Sequence, residues 1–230
     1  MMRKVSPGIC RRFCVKRLTN GSAARVGEQS SSAFTLVELL VVFGIILILA
    51  GLVLSTVGYA RKKGARARAE TEIAAMAAAC ESYKSDNGIY PSNSVTNNLD
   101  PRTNGDPGTT AYSFASQYLY GELSGDRNFN YIIDPSEQGN RSYFAFKSTP
   151  PSADGTSNNG MLSITRSGST YTVNYIRDPF GNSYGYSTAQ AANPGGITGY
   201  NPTFDLWSTS GLSTNPGNPD TITPQWIKNW

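Results

Sequence analysis

The sequence predicts an α+β fold: a long N-terminal helix, membrane-spanning in its first half, packs on a small antiparallel β-sheet with a long variable loop region. Three observations lead to this fold class. An uncharged apolar run of 19 residues extends from Leu39 to Val57. A helical apolar pattern continues beyond it to about residue 85. Short segments that alternate polar and apolar residues occupy the final third.

The apolar run has the length of a membrane helix. At about 1.5 Å of rise per residue it nearly crosses the roughly 30 Å hydrocarbon layer of a bilayer. Only Ser55 and Thr56 interrupt it with polar side chains. Gly44, Gly51 and Gly58 recur every seven residues and place small residues on one seam. This seam is either a contact for another helix or the ordinary glycine content of a membrane helix.

The helical pattern continues past the expected membrane surface. An apolar stripe at helical spacing is formed by Ile73, Met76, Ala77, Cys80 and Tyr83. Arg66 and Arg68 each precede a glutamate by four residues, the spacing of helical ion pairs. The sequence Ser-Asp-Asn-Gly at 85–88 predicts the helix end. We therefore expect one continuous helix from about Phe34 to Ser85.

The rest of the 230-residue chain suffices for one modest globular domain. The expected elements are a short helix at 111–123, a strand at 141–148, a hairpin at 161–176 turning at Ser167 and Gly168, a type I turn at 178–181, and further strands within 183–188 and 203–209. Together the strands form a small antiparallel sheet that buries one face against the amphipathic half of the helix.

The charge distribution defines the segments of the chain. Residues 1–33 carry seven basic residues and one acidic residue, whereas the remainder carries 13 basic and 15 acidic residues. The basic balance therefore gives no support for nucleic-acid binding by the folded part. A basic leader favours a cytoplasmic N-terminus, although five basic residues after the run oppose this orientation. The expected segments are a leader at 1–33, a transmembrane half-helix at 34–60, an amphipathic half-helix at 61–87, and a β domain at 88–230 with an enlarged variable region at 93–170.

Several catalytic classes are excluded by composition. The chain contains no histidine, which removes Ser-His-Asp and Cys-His catalysis and His-ligated zinc. Cys80 is the single cysteine outside the leader, so we expect no intrachain disulfide there and a small apolar packing role for Cys80. Carboxylates such as Asp178 and Asp205 lie within turn and strand motifs that explain them structurally. An enzyme is the least favoured class.

Glu38 stands at the start of the apolar run without a basic residue beside it. A carboxylate at membrane depth costs about 2.5 to 3.5 kcal/mol on insertion scales, so it requires a partner, and the chain offers none beside it. A cut between Ala33 and Phe34 would create an α-amine, cationic at neutral pH, one helical turn from Glu38. Within one chain this pairing has poor geometry. Between two staggered copies it becomes an intermolecular ion pair.

The segment AFTLVELLVVFGIILILAG, residues 33–51, resembles the N-terminal segment of type IV pilins and type II secretion pseudopilins. Further stretches resemble the major pseudopilin pattern: DNGIYPS at 86–92, DPFGNSYGY at 178–186, FDLWS at 204–208 and IKNW at 227–230. The resemblance covers the helix and the final third of the chain. Ala33 stands where this family usually has Gly, and Phe180 where it more often has Trp.

The resemblance implies a pilin-like fold and a structural subunit rather than an enzyme. A prepilin peptidase is expected to cut between Ala33 and Phe34 and to methylate the new amine of Phe34. Glu38 and Phe34 then direct assembly into a helical homo-oligomer, most simply the major pseudopilin filament of a type II protein secretion system. A type IV pilus pilin is the alternative. Implied partners are the lipid bilayer and an inner-membrane secretion or pilus assembly platform.

The implied location is the bacterial inner membrane. The chain crosses it once, with a cytoplasmic N-terminus before cleavage and a C-terminal domain that is periplasmic, or extracellular in a filament. Another class of function also fits the sequence, a single-pass membrane-anchored binding module, for instance for glycans. Such a module would retain its leader and remain a monomer, which distinguishes it from a filament subunit.

Two sets of oxygen-bearing side chains are candidates for calcium. The first follows EF-hand spacing at positions 1, 3, 5, 9 and 12 and comprises Asp126, Asn128, Asn130, Asp134 and Glu137. Tyr131 occupies position 6, where that loop requires Gly, so a solvated turn remains open as the other interpretation. The second set, Ser208 and Asp220, lies in the loop where the resembling family binds calcium.

Overall fold

The computed structural model describes residues 34–103, 106–212 and 223–230. The leader with Ala33 lies outside the described residues, and so does Asp220. Contacts within the chain divide the described residues into two units, those up to Ala50 and those from Gly51 onward. A single helix, α1 (Leu36–Asn87), contributes to both. The prediction of one continuous helix from about Phe34 to Ser85 is confirmed to within two residues at each end.

The end of α1 follows the predicted stop signal. The Gly88 N–H donates to the Lys84 carbonyl at 2.8 Å. Gly88 adopts a φ of +79°, the left-handed conformation that commonly terminates helices and that glycine accepts without a Cβ clash. The absence of proline between Gly58 and Ser85 allows the hydrogen-bonded ladder to reach this point without a break.

Eleven shorter helices and strands follow α1 among the described residues. The helices are α2 (Ser94–Asn98), α3 (Thr110–Ser124) and α4 (Ala189–Ala192), and a 3-10 turn lies at Thr223–Gln225. The strands are β1 (Ser148–Thr149), β2 (Gly155–Ser157), β3 (Asn159–Gly160), β4 (Leu162–Ser167), β5 (Thr170–Ile176), β6 (Gly185–Ser187), β7 (Asp205–Ser208) and β8 (Ile227–Lys228). The helix predicted at 111–123 is confirmed as α3, whereas α2 and α4 were not predicted.

The strands form three small antiparallel sheets rather than the single sheet expected from the sequence. Their orders are β1-β3, β2-β4-β5 and β6-β7-β8. The turn at 178–181 separates the last two sheets, since β5 and the β6 region share only an isolated bridge between Arg177 and Ser183. The general prediction of small antiparallel sheets is confirmed, and the prediction that they join into one is wrong.

The predicted hairpin at 161–176 is confirmed as β4 and β5. Its turn lies one residue later than expected, because Ser167 still pairs with Thr170 and the turn residues are Gly168 and Ser169. The register shifts once, between Ser163 and Ile164.

The strand predicted at 141–148 is not formed, except that Ser148 begins β1. Two of the alternating aromatic side chains in this segment, Phe144 and Phe146, do pack against the core, with their ring centroids 4.7 Å apart. The backbone, however, bonds to a helix end instead of a strand. The N–H groups of Tyr143 and Phe144 donate to the Leu123 carbonyl at 2.8 and 2.9 Å.

The main core lies where the amphipathic part of α1 meets α3 and the strands. Of the predicted stripe, Ile73, Met76, Cys80 and Tyr83 are buried and Ala77 is half-buried. They share a cluster with side chains of α3, β4, β5, β6 and β7. Burial raises the pKa of the Cys80 thiol, which is consistent with the predicted packing role and not with a reactive thiolate.

Candidate functional site

The start of α1 is closed by a reciprocal bond pair between Thr35 and Glu38. The backbone N–H and the hydroxyl of Thr35 each donate to Glu38 Oε2 at 2.9 Å. The Glu38 N–H donates to Thr35 Oγ1 at 3.2 Å. This arrangement is a capping box, for which the spacing T-x-x-E is the sequence signal. The expectation that Glu38 has no partner beside it in its own chain is therefore wrong, because Thr35 supplies two uncharged hydrogen-bond donors.

The second oxygen of Glu38 is not used by this cap. Within residues 34–103, 106–212 and 223–230, Oε1 makes no hydrogen bond. Phe34, whose amine would be released by the expected cut, is 78% exposed. Because the macrodipole of a helix favours negative charge in its first turn, the carboxylate is well placed to remain ionised there. One carboxylate oxygen thus stays available to a cation from outside the chain.

The apolar part of α1 has no covering within the described protein. Every large apolar side chain from Phe34 to Leu54 is exposed, by 49% or more. The segment is long and apolar enough to cross a membrane. Burying such a surface is favourable by about 25 cal/mol per Å². Lipid or other apolar helices are the environments that provide this burial.

The predicted seam of small residues is open. A Cβ built on Gly44, Gly51 or Gly58 meets no heavy atom within 4 Å. Nothing in the described chain therefore fills the space beside these glycines.

The amphipathic part of α1 is fastened to the folded domain by charged and phenolic groups. The predicted pairs Arg66–Glu70 and Arg68–Glu72 are formed, at 3.2 and 2.6 Å. The Tyr184 hydroxyl, just before β6, donates to Glu72 Oε2 at 2.7 Å. Burial, together with the charge of Glu72, raises the pKa of Tyr184. A hydrogen bond therefore connects the Arg68–Glu72 ion pair to a buried tyrosine of the core.

The predicted EF-hand-spaced residues do lie in one loop, between α3 and β1, and Asp126 is its buried centre. Asp126 Oδ2 accepts hydrogen bonds from the Tyr120 hydroxyl and the Tyr131 N–H, both at 2.7 Å. Its Oδ1 accepts from the Asn130 N–H at 3.1 Å. Burial raises the pKa of Asp126, and these donors oppose the shift. Both oxygens are thus satisfied by the protein.

Glu137 and Asp134 of this loop also accept hydrogen bonds from the protein. Glu137 Oε1 accepts from the N–H groups of Arg127 and Asn128 at 2.7 and 3.0 Å. Asp134 Oδ2 accepts from the side-chain amides of Asn128 and Asn130 at 2.7 and 2.9 Å. In the part of the chain that the structure describes, no group of three or more His, Cys, Asp or Glu side chains is arranged to hold a metal. The loop therefore fits a hydrogen-bonded turn better than a calcium site.

The second predicted calcium pair is represented by Ser208 alone. Ser208 Oγ donates to Asp178 Oδ2 at 2.6 Å. Asp178 Oδ1 accepts from the N–H of Phe180 and of Asn182, at 3.0 and 2.8 Å, which builds the turn predicted at 178–181. Burial raises the pKa of Asp178. These hydrogen bonds join the turn at 178–181 to β7. Ser208 therefore has a structural role.

A second core, the aromatic cluster, covers one end of β7 and β8. Its members are Leu99, Tyr112, Ala115, Trp207 and Trp226, with Val95 and Trp230 partly buried beside them. The rings of Trp207 and Trp226 are stacked, with centroids 5.8 Å apart. All three tryptophans of the chain lie in this cluster, so tryptophan fluorescence reports on its integrity.

Asp205, the first residue of β7, is buried. Its two oxygens accept hydrogen bonds from the N–H groups of Tyr200 and Asn201, at 2.9 and 2.7 Å. Burial is the main cause that raises the pKa of Asp205 to about 6, and the nearby Asp100 carboxylate adds to it. Sequence reasoning placed Asp205 in a strand, but burial by distant segments could not be anticipated from its neighbours.

We expect the free energy of unfolding to decrease as pH rises from about 4 to about 6, because the folded state retains a proton on Asp205 that the unfolded state has lost. The shift from 3.8 to about 6 corresponds to a loss on the order of 3 kcal/mol. Denaturant unfolding of the full chain in mild detergent, followed by tryptophan fluorescence at pH 4.5 and pH 7, measures about 2 kcal/mol of this loss, because the rest occurs below pH 4.5.

Asp205→Asn is the control for this prediction, since the amide does not titrate. Asp126 and Asp178 contribute pH dependence of the same sign in both proteins, so the difference isolates Asp205. An identical pH dependence in the variant and the wild type would contradict the assignment.

The geometry thus defines an α+β protein with one long N-terminal helix that is apolar enough to anchor it in a membrane. Comparison of the chain with known protein families, with curated proteins and with solved structures gives no significant match.

Proposed function

We propose that this chain is the structural subunit of a pilus-like filament, assembled after a prepilin peptidase removes the leader. Among such subunits the major pseudopilin of a type II protein secretion system fits best, because the motifs at 178–186, 204–208 and 227–230 follow its pattern. A type IV pilus pilin would use the same assembly chemistry. The subunit resides in the inner membrane until it is taken up by the assembly platform.

The observation that carries the proposal is the state of Glu38 at the start of α1. Thr35 holds the carboxylate in place through Oε2, and Oε1 has no hydrogen bond among the described residues. A cut before Phe34 would supply a cationic amine in the same region of a neighbouring copy. A charge-assisted bond between this amine and Oε1 would compensate the carboxylate and set the stagger between subunits.

The exposed apolar part of α1 supports the second step of assembly. In the membrane its side chains contact lipid, and in a filament the same side chains contact neighbouring helices. Exchange of one apolar environment for the other costs little, so the polar contact at Glu38 selects the register. The folded domain, fastened to α1 by Glu72 and Tyr184, remains outside the helical bundle.

The mature N-terminus tests this function directly. We expect the protein isolated from its native membrane to begin at Phe34 and to carry one additional methyl group on its amine. Intact-mass and N-terminal peptide mass spectrometry measure both features. A chain that begins upstream of residue 34 would exclude the filament proposal and favour an anchored monomer.

Two substitutions that each replace an alanine of the leader with leucine provide a matched test of processing. Ala33→Leu should block cleavage, because the resembling family has a small residue before the cut. Ala24→Leu, in the same leader but nine residues upstream, should leave cleavage unchanged. Equal processing of the two variants would show that the cut does not occur after residue 33.

A further inference from the structure

A short basic segment follows the apolar run of α1 and is called here the basic triad: Arg61, Lys62 and Lys63. All three side chains are exposed. Along α1 the apolar run ends at Val57, Tyr59 follows with 72% exposure, and the triad comes next. An aromatic residue followed by cations is the order typical of a membrane–water interface.

The triad lies at the depth of lipid phosphates if the apolar run spans the hydrocarbon layer. Arg61 is four residues beyond Val57, about 6 Å along the helix axis. The headgroup region occupies about 5 to 8 Å on each side of the hydrocarbon layer. Long basic side chains at this position reach phosphate oxygens without bending the helix.

Among the described residues, the triad has no anionic partner. The glutamates nearest along α1 are already paired, Glu70 with Arg66 and Glu72 with Arg68. Among the described residues, the triad takes part in no ion pair or hydrogen bond. It therefore differs from the two arginines that follow it, whose charges are compensated.

The elements packed beside Lys62 offer it no carboxylate either. Lys62 and Arg66 line one side of a surface cavity of about 610 Å³. The remaining lining residues are Phe180, Ser210, Gly211, Leu212, Pro224 and Gln225. None of them is acidic, and the Gln225 carbonyl already accepts from Arg66 Nη1 and Ser210 Oγ. Lys62 thus borders a space that its described neighbours leave without a negative charge.

We infer that the basic triad binds the phosphates of anionic phospholipids, such as phosphatidylglycerol, in the leaflet on the side of the folded domain. Ammonium and guanidinium groups form charge-assisted hydrogen bonds with phosphate oxygens, and a zwitterionic headgroup offsets that attraction with its own cation. The inference rests only on the membrane-spanning part of the proposed function. It does not require cleavage or filament assembly.

The selectivity of the lipids next to the protein tests this inference. The full chain is reconstituted in phosphatidylcholine vesicles, and electron spin resonance measures how strongly spin-labelled phosphatidylglycerol and phosphatidylcholine associate with it. We expect phosphatidylglycerol to be preferred by roughly threefold or more at low salt, since each cation near an anionic surface adds up to about fivefold. The preference should fall in 1 M NaCl, where the screening length is about 3 Å.

Two triple variants supply the controls. Arg61→Gln with Lys62→Gln and Lys63→Gln should lose most of the preference. Arg61→Lys with Lys62→Arg and Lys63→Arg keeps the charges and should retain it. The seven basic residues of segment 1–33 are present in all three proteins, so they cancel in the comparison. Tryptophan fluorescence verifies that the folded domain is unchanged.

The outcomes separate this inference from the filament proposal. Flotation with the vesicles first establishes insertion, and a chain that does not insert overturns the inference at its premise. An inserted glutamine variant with undiminished preference for phosphatidylglycerol overturns it as well. So does a glutamine variant that keeps the lipid preference but loses self-association, because the triad would then serve contacts between copies. Loss of the preference in an inserted glutamine variant, with self-association unchanged, supports it.

Discussion

Replacing Glu38 with Ala is expected to reduce the proposed filament assembly by roughly two orders of magnitude while leaving insertion and cleavage largely intact. The variant removes the carboxylate whose Oε1 is free for a neighbour's amine. The loss corresponds to the roughly 2.5 to 3.5 kcal/mol at stake for an uncompensated charge at membrane depth. Sheared filaments are quantified by electron microscopy and immunoblotting, and the mature N-terminus by mass spectrometry.

Two further substitutions separate the charge of Glu38 from its capping role. Glu38→Gln retains an oxygen for the Thr35 donors, because a capping box accepts Gln as well as Glu, but it carries no charge. Thr35→Ala loses the hydroxyl partner and keeps the charge. We expect Glu38→Gln to fail like Glu38→Ala and Thr35→Ala to assemble substantially better than either. Normal filaments from Glu38→Gln would contradict the electrostatic mechanism.

Gly185→Ala is expected to destabilise the folded domain by about 3 kcal/mol, at the upper end for overpacked cores. Gly185 pairs with Trp207 across β6 and β7, and an added Cβ would overlap the Trp207 indole ring. The ring has no room to move, since it is fully buried, stacked on Trp226 and packed edge-to-face with Tyr112. Denaturant unfolding of the full chain in mild detergent, followed by tryptophan fluorescence, measures the loss.

Gly195→Ala is the matched control for this substitution. A Cβ at residue 195 meets no heavy atom within 4 Å, so we expect a change of less than about 0.5 kcal/mol. If both variants unfolded at the same denaturant concentration as the wild type, the packing of Gly185 against Trp207 described here would be wrong.

Features determined by local spacing could be predicted from the sequence. The helix, its apolar stripe at Ile73 to Tyr83 and the turn at Asp178 follow from residues a few positions apart. The capping box at Thr35 is equally local, since its T-x-x-E spacing places both partners within one helical turn.

Features determined by distant segments could not be predicted. The alternation at 141–148 indicates a strand, yet the bond acceptor for Tyr143 and Phe144 is Leu123 at the end of α3. The division into three sheets depends on which edges meet in space, and short strands carry little register information. The raised pKa of Asp205 likewise depends on burial by remote parts of the chain.

The position of β8 has a consequence for biogenesis. Residues 226–228 complete the sheet beside β7, and Trp226 covers Trp207 in the aromatic cluster. A nascent chain that stops short of residue 228 leaves that tryptophan face open to water, so cooperative folding has to wait for its synthesis. We therefore expect the stacking of Trp226 on Trp207 to form only once residues 226–228 have been synthesised.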